Sequence, residues 1–315
     1  MKNLLCIIAL LFSWGCSSTD TATFPDFITP NEEYFVTRID GIPDIDEDTY
    51  ELTLSGTVEN PAVFTLDELR ALNLVDIPLT IECIGNRPGG PLVGTAVWKG
   101  FRLIDLLQDA GIEENATGVT CTAADGYYAS YTLEQLSENN VIGALYMNGE
   151  PLPPVQGFPL RIILPGYYGA KQAAWVTGIE VIDRPLEDFW EDFGWDLTPP
   201  MDIDSTFFFP ENNSMVRLGT LLAVGGAAFG GGRIKKVELT TDDGASWQEA
   251  DIVQSMDADN VWVFWEAELT FDKPGRYTIY SKATDHNGIT QPRNDYDRRD
   301  GNNTWPSINV TVSGL

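Results

Sequence analysis

The sequence predicts an α+β domain followed by an all-β sandwich, and three observations support this prediction. The chain has 315 residues, of which 43% are hydrophobic and 11% aromatic, and this is ample for buried cores. Turn-forming residues are abundant, with 29 Gly and 19 Pro, while helical spacing of apolar residues is confined to a few short segments. Beyond residue 206 the pattern consists of short strands separated by turn residues, which is typical of an antiparallel sandwich.

The first domain is predicted to span residues 31–185 and to mix strands with short helices. Thr65 with Glu68 three residues later forms a capping-box pattern, which predicts a helix start. Apolar spacing over residues 102–110 predicts a second helix that Gly111 ends, and a helical turn is expected at 133–136. Strands are predicted from alternating or continuous apolar patterns at 50–56, 79–83, 119–123, 127–131, 160–164 and 175–182.

The second domain is predicted to span residues 206–315. Strands are expected at 234–240, 247–253, 261–271, 275–284 and 307–313. The acidic, aromatic and proline-containing residues 186–205 lack clean periodicity, so we expect the linker there. The glycine-rich residues 225–232 lack phosphate-loop spacing and are interpreted as a flexible connection between strands.

Charge and histidine content exclude several classes of function. With 19 basic and 47 acidic residues the net charge is −28, so neither nucleic acid nor an anionic membrane surface is a favourable partner. His286 is the sole histidine and lies in a predicted turn, which argues against Ser-His-Asp catalysis and against histidine-rich zinc or haem sites.

The N-terminus is similar to a bacterial lipoprotein signal. A short basic start precedes an apolar run over residues 4–14 that is too short to span a bilayer, and a polar tether at 16–30 follows. We expect residues 1–15 to be removed, Cys16 to carry the lipid, and the protein to be anchored in the cell envelope. An ordinary secretory signal is the alternative. Since no twin-Arg pair is present, Sec-type export is expected.

Two cysteines would remain in the mature domains, Cys83 and Cys121. In an oxidising compartment they could form a disulfide. Alternatively, Cys83 is a metal ligand, since it lies where a strand ends and a glycine-containing loop begins, and nearby Arg87 would favour its thiolate. Residues 151–179 contain no acidic side chain but include Arg161 and Lys171, which indicates a local anion site. Residues 212–237 are also free of acidic residues, which weakens that signal.

Five motifs in order resemble the sulfite oxidase superfamily. The segment Thr80-Ile81-Glu82-Cys83-Ile84-Gly85-Asn86-Arg87 resembles the one that carries the molybdenum-ligating cysteine. The other motifs of the first domain are 94–100 (GTAVWKG), 147–154 (MNGEPLPP), 157–161 (GFPLR) and 165–171 (PGYYGAK). Residues 237–244 and 283–292 are similar to the immunoglobulin-like dimerisation domain of the same proteins.

The resemblance implies a mononuclear molybdenum–pyranopterin (molybdopterin) cofactor in a sulfite oxidase-like domain. A dithiolene would supply two sulfurs and Cys83 the third, since soft thiolates suit a redox-cycling metal. Arg87 would lie beside it as a catalytic residue, and Arg161 and Lys171 would hold the cofactor phosphate. The remaining residues that the matched motifs place near the cofactor are Arg38, Asn86, Tyr168 and Gly169. Cys121 has no ligand role in the resemblance.

Departures from the family pattern argue against sulfite as the substrate. Asp40 and Gln156 stand near positions where the family commonly has histidines, and Pro88 replaces a second Arg. Leu145 aligns with the pocket tyrosine, with Tyr146 one place on. The loss of cations removes charge-assisted bonds to an oxyanion.

The sequence therefore predicts an exported, lipid-anchored molybdenum oxidoreductase that performs two-electron oxygen-atom transfer on an unidentified substrate. Because the chain contains no Cys-x-x-Cys-His haem motif, its electrons would pass to a separate partner. A homodimer formed by the sandwich domain is expected. Reduction of sulfoxides is a variant of this hypothesis. The alternative, from another class, is a non-catalytic cell-surface binding or structural protein that kept the scaffold without the cofactor.

Overall fold

The computed structural model describes residues 23–314, which form two compact units. The first unit comprises residues 30–83 and 96–200, and the second comprises residues 23–29, 84–95 and 201–314. The predicted signal segment and Cys16 lie outside the described residues. Within the described residues, no helix is long and apolar enough to cross a membrane.

The first unit combines two sheets with short helices. Its helices are α1 (Leu66–Arg70), α2 (Leu103–Ala110) and α3 (Leu133–Glu138). Its strands are β1 (Glu51–Gly56), β2 (Ala62–Thr65), β3 (Leu74–Glu82), β4 (Val93–Arg102, which starts in the second unit), β5 (Gly118–Ala123), β6 (Tyr128–Thr132), β7 (Ile142–Met147), β8 (Glu150–Pro151), β9 (Arg161–Ile163) and β10 (Val176–Ile182). One sheet has the order β2-β1-β10-β5-β6, and the other has the order β3-β4-β7-β8 with β9 paired to β7.

The helix starts follow the sequence signals. The Thr65 side chain accepts from the Glu68 backbone N–H while the Glu68 carboxylate accepts from that of Thr65, so the predicted capping box is confirmed. Thr132 and Gln135 make the same exchange at α3. Gly111 ends α2 in the left-handed region, at φ 75°, where glycine carries no side-chain penalty. The buried leucines of α2 face the core between the helices and the first sheet.

In the second unit, the regular elements described within residues 201–314 are all strands. They are β11 (Asp204–Phe209), β12 (Ser214–Arg217), β13 (Leu222–Phe229), β14 (Ile234–Thr240), β15 (Gln248–Gln254), β16 (Val263–Leu269), β17 (Gly275–Asp285) and β18 (Ser307–Ser313). Their hydrogen-bonded order is β11-β13-β16-β15-β14-β17-β18-β12, and the β12–β18 pair is parallel whereas the others are antiparallel.

Two expectations need correction. The glycine-rich segment is not a flexible connection, because most of it lies in the buried strand β13. A Cβ at Gly226 would lie 1.8 Å from the Thr206 carbonyl oxygen, and one at Gly225 would lie 2.2 Å from the Phe209 ring. The glycines therefore permit close packing.

The expected linker is also partly ordered within the first unit. Residues 186–200 belong to that unit, and Asp188 is buried there. The segment therefore contributes a buried charge and hydrogen bonds to the first unit.

Candidate functional site

Cys83 lies directly after β3, with a short 3-10 turn, Gly169–Lys171, packed against it. The last four residues of β3 are buried, whereas Cys83 is only half-buried. A Cβ at Gly169 would lie 3.3 Å from the Glu82 carbonyl oxygen and 3.8 Å from the Cys83 Cα. Two of the predicted site segments therefore meet at this point, and glycine permits the close approach of their backbones.

Buried side chains hold this turn in place. The Tyr127 hydroxyl donates to the Ala170 carbonyl oxygen at 2.5 Å, and the Tyr131 hydroxyl donates to that of Lys171 at 2.8 Å. Burial raises the pKa of both tyrosines, so both hydroxyls stay protonated as donors. Gln172 adds a two-way bridge to Leu164, accepting from its N–H at 2.6 Å and donating to its carbonyl oxygen at 2.8 Å. The backbone beside Cys83 is thus fixed from several sides.

The ammonium of Lys171 is turned into the protein interior. Its Nζ lies 2.8 Å from Asp188 Oδ2 and also donates to the Ser130 carbonyl oxygen, and both charged side chains are buried. Because its charge is neutralised by Asp188, this geometry argues against the phosphate-holding role expected for Lys171.

Arg161 has the geometry of an anion-binding residue. Its Nη1 donates to the Gln156 backbone carbonyl at 3.1 Å and to Oε1 at 2.9 Å, and its guanidinium carbon lies 5.2 Å from the centre of the Trp98 ring. Burial lowers its pKa. Within the described residues, its Nε is a buried donor without a hydrogen-bond partner. A buried N–H of a guanidinium without a partner is unfavourable unless a ligand accepts from it.

Gln156 lies near a position where the family pattern commonly has a histidine, and its side chain orients Arg161. Its Nε2 donates to the carbonyl oxygens of Tyr34 and Phe35, each at 3.3 Å, while Oε1 accepts from Arg161. The amide thereby orients Arg161 and ties it to the segment near residue 35. Gln156 is neutral, so it adds orientation but no positive charge.

Two predicted site residues, Asn86 and Arg87, belong to the second unit. The Asn86 side chain braces its own loop, donating to the Gly90 carbonyl oxygen at 3.3 Å and accepting from the Leu92 N–H at 3.2 Å. Arg87 is exposed, and its carbonyl oxygen accepts from the Gly90 N–H at 2.7 Å. The amide of Asn86 therefore shapes the loop that follows Cys83.

The remaining predicted residues have simple positions. Tyr168 is buried and immediately precedes the 169–171 turn in extended conformation. Arg38 is half-buried in an irregular segment of the first unit. Cys121 is a fully buried residue of β5, and it forms no disulfide with Cys83. The disulfide considered from the sequence is therefore wrong, and burial raises the pKa of the Cys121 thiol.

Sequence reasoning missed Tyr127 and Asp188 as parts of the site. In the sequence, Tyr127 fits a strand pattern and Asp188 falls within the expected linker. No local pattern predicts either, because each acts through a residue distant in sequence. Ala170 lies 43 positions from Tyr127, and Lys171 lies 17 positions from Asp188.

Comparison with known proteins identifies the class to which this fold and site belong. Residues 39–190 match the family model of the oxidoreductase molybdopterin-binding domain, and residues 196–313 match that of the Mo-co oxidoreductase dimerisation domain. Fold and site thus define a molybdenum–pterin oxidoreductase. The chain belongs to the sulfite oxidase superfamily.

Its relatives differ in length. Sulfite oxidase of Arabidopsis thaliana is 28% identical over 87% of this chain and 84% of its own length. Mitochondrial sulfite oxidase of Drosophila melanogaster is 31% identical over 84% of this chain, which spans only 55% of that protein. Among solved structures, the sulfane dehydrogenase SoxCD from Paracoccus pantotrophus shares the fold with a TM-score of 0.79 at 22% identity, covering 97% of this chain and 90% of that one.

The residues present fit the cofactor of this family. The half-buried Cys83 offers a soft sulfur donor, Gly169 lets the 169–171 turn pack closely against its backbone, and Arg161 has a buried N–H for an anion. These three features lie in the first unit.

Proposed function

We propose that this protein catalyses two-electron oxygen-atom transfer, with Cys83 as the protein ligand of molybdenum. The observation that carries the proposal is the close approach of Gly169 to the backbone of Glu82 and Cys83, which sets the half-buried thiol beside the 169–171 turn at the end of a strand whose last four residues are buried. A strand end of this kind holds a ligand in a fixed position because the strand itself is buried and paired.

The chain's own residues would share the work of binding and orienting. Cys83 provides a thiolate, which suits a metal that changes oxidation state, and Arg161 provides charge and N–H donors for the phosphate of the pterin. Gln156 orients Arg161, and Tyr127 with Tyr131 fixes the turn beside Cys83. When bound, the cofactor supplies the exchange of an oxygen atom together with two electrons.

The reaction balances with water as the source of oxygen. The substrate gains one oxygen atom from water and gives up two electrons, while two protons are released. The electrons leave one at a time to a separate electron-transfer partner. In the reverse direction, which would reduce a sulfoxide, the same partner would supply them.

The substrate is proposed to differ from sulfite. Gln156, at a position where the family commonly has a histidine, is neutral and already donates to Tyr34 and Phe35. Leu145, at the position of the pocket tyrosine, is buried in the core. An oxyanion would thus lose charge-assisted hydrogen bonds that the family pattern supplies.

Location and assembly complete the proposal. We infer an envelope protein anchored through a lipid on Cys16 after Sec-type export, on the sequence of its first 16 residues. We also infer a homodimer formed by the second unit, supported by its match to a dimerisation domain. Light scattering on the mature chain measures the second point directly.

Metal analysis of purified protein tests the central proposal. Wild-type protein is expected to contain close to one molybdenum atom per chain, Cys83→Ser is expected to contain none, and Cys121→Ala is the matched control that keeps its metal. Thermal unfolding of each variant checks that the fold is retained. Wild-type protein without molybdenum, or Cys83→Ser with a full complement, would overturn the proposal and leave a non-catalytic binding protein.

A further inference from the structure

Five aromatic side chains of the first unit form a continuous cluster of tilted and edge-to-face ring contacts, which we call the aromatic ladder. Its members are Tyr127, Tyr128, Phe189, Trp190 and Phe193. The ring centres of Tyr127 and Phe189 lie 5.3 Å apart, and those of Phe189 and Phe193 lie 5.2 Å apart. These are contact distances for aromatic pairs, so the ladder is packed without gaps along this line.

The inner end of the ladder reaches the turn beside Cys83. Tyr127 donates to the Ala170 carbonyl oxygen, and the neighbouring Gly169 lies against the Cys83 backbone. One hydrogen bond and one backbone contact therefore separate the ring of Tyr127 from the proposed metal ligand.

The outer end of the ladder is exposed. The side chain of Phe193 is 56% exposed, and Trp190 is half-buried beside it. Single exposed apolar residues are ordinary on protein surfaces, but an exposed phenylalanine that continues a packed aromatic cluster offers a partner a contiguous apolar contact. Aromatic residues are also enriched at the centres of protein interfaces.

The charge around the exposed end is mostly negative, and the nearby Arg184 is paired with Glu180 at 2.8 Å. Residues 185–200 contain five acidic side chains and no lysine or arginine. Asp188 is neutralised internally by Lys171, which leaves the charges of Glu187, Glu191, Asp192 and Asp196. Asp192 is held toward the ladder, since its Oδ2 accepts from the Tyr128 hydroxyl at 2.8 Å. A negative rim around an apolar centre complements a partner with a basic rim around an apolar centre.

We propose that this aromatic–acidic patch docks a basic one-electron redox protein and that the aromatic ladder is the packed route between it and the site at Cys83. The inference rests on the proposed function, because it requires electrons to leave the site. For each turnover in the oxidising direction two partner molecules are reduced in succession, each by one electron. Such complexes are small and transient, so a patch of this size is sufficient.

Binding and electron delivery are tested separately, with a basic c-type cytochrome as the probe. Binding is measured by calorimetry at low and high salt on wild-type protein, on Glu187→Lys and on Phe193→Ala. The matched controls are Glu51→Lys, an exposed acidic residue of β1, and Val63→Ala, which is 54% exposed on β2. Delivery is followed as cytochrome reduction by protein pre-reduced with dithionite, and reduction of ferricyanide, which needs no docking surface, is the reference.

Glu187→Lys is expected to weaken cytochrome binding about fivefold at low salt, and the difference should shrink at high salt because such contacts are screened. Phe193→Ala is expected to weaken binding by a similar factor at both salt concentrations. Both variants should slow cytochrome reduction while leaving ferricyanide reduction unchanged. Equal losses in the control variants, or unchanged binding in both patch variants, would overturn the docking proposal.

Failure of the proposed function gives a different result. Protein that contains no molybdenum reduces neither acceptor, yet the calorimetric difference between patch and control variants remains measurable. If molybdenum-containing protein reduces ferricyanide normally but the patch and control variants bind the cytochrome equally, the docking proposal is rejected. The proposed enzymatic function then still stands.

Discussion

Lys171 and Asp188 form a buried ion pair inside the first unit, with Nζ 2.8 Å from Oδ2 and side chains only 6% and 4% exposed. The other oxygen of Asp188 accepts from the Ser130 N–H at 2.9 Å. The pair thereby ties the segment that carries the aromatic ladder to the turn beside Cys83. One charge pair therefore helps to position both the turn beside Cys83 and the segment that carries Phe189, Trp190 and Phe193.

Removal of one partner of this pair is expected to be costly. Asp188→Asn should lower the free energy of unfolding by about 3–5 kcal/mol, because it leaves the Lys171 charge buried without compensation. The control is Glu180→Gln, which breaks the exposed Arg184–Glu180 pair of equal length, 2.8 Å, and should cost less than about 1 kcal/mol. Urea unfolding of both variants gives the comparison, and similar values for the two would contradict a structural role for the buried pair.

The fold could be predicted largely because its signals are local. The capping box at Thr65 and the glycine after α2 specify helix ends within a few residues, and both were confirmed. Strand β18 has the predicted bounds, since turn residues delimit an alternating pattern. Strand β13 was not predicted, because a run of glycines suggests a flexible segment. The structure shows that glycine is required there by the close approach of Thr206 and Phe209.

The candidate site was predictable only in part. The Cys83 and Gly169 segments could be named from motifs, and the structure brings them together. The pairing of Lys171 with Asp188 could not be predicted from the sequence. A basic residue in a segment without acidic residues suggests an anion-binding role, and only the fold shows that Asp188 neutralises it. The role of Gln156 in orienting Arg161 was likewise not predictable. It depends on hydrogen bonds to the carbonyl oxygens of Tyr34 and Phe35, which are more than 100 residues away in sequence.

The two cysteines are expected to differ in reactivity. Burial raises the pKa of the Cys121 thiol, so its thiolate does not form at neutral or mildly alkaline pH, whereas Cys83 is half-buried. In cofactor-free native protein, iodoacetamide at pH 8 should label Cys83 and leave Cys121 unmodified until denaturant is added. Peptide mass spectrometry locates the label, and modification of Cys121 in native protein would refute this expectation.

Asp202 is expected to make the second unit less stable as the pH rises. Burial, together with the charges of Asp300 and Asp295, raises its pKa to about 6. A carboxyl group whose pKa is higher in the folded than in the unfolded chain, about 3.9, stabilises the fold below that lower value and loses this contribution as the pH rises through the higher one. Asp202→Asn should therefore raise the thermal midpoint relative to wild type more at pH 7 than at pH 4.5.

Calorimetric scans at the two pH values measure this difference. The same substitution at Asp251, an exposed residue of β15, is the control and should show no such pH dependence. An Asp202→Asn shift that is equal at both pH values would contradict the assignment.

The proposed lipid anchor gives a clear-cut labelling experiment. Cells grown with labelled palmitate should incorporate the label into wild-type protein, and Cys16→Ser should abolish incorporation and release the protein from the membrane fraction. Cys6→Ser, in the segment expected to be removed, is the control and should keep the label. Unchanged labelling of Cys16→Ser would remove the basis for an anchor at this position.

Gly169 offers the sharpest test of the geometry at the site. An added methyl group would lie 3.3 Å from the Glu82 carbonyl oxygen, a tight contact, and 3.8 Å from the Cys83 Cα, so it would occupy space beside the proposed metal ligand. Gly169→Ala should lower molybdenum content severalfold while shifting the thermal midpoint only slightly, since the neighbouring backbone needs to move by only a few tenths of an ångström. Gly41→Ala is the control, because a methyl group there meets nothing within 4 Å. If Gly169→Ala keeps a full complement of molybdenum at wild-type stability, the close approach of this turn to Cys83 is not needed to hold the cofactor.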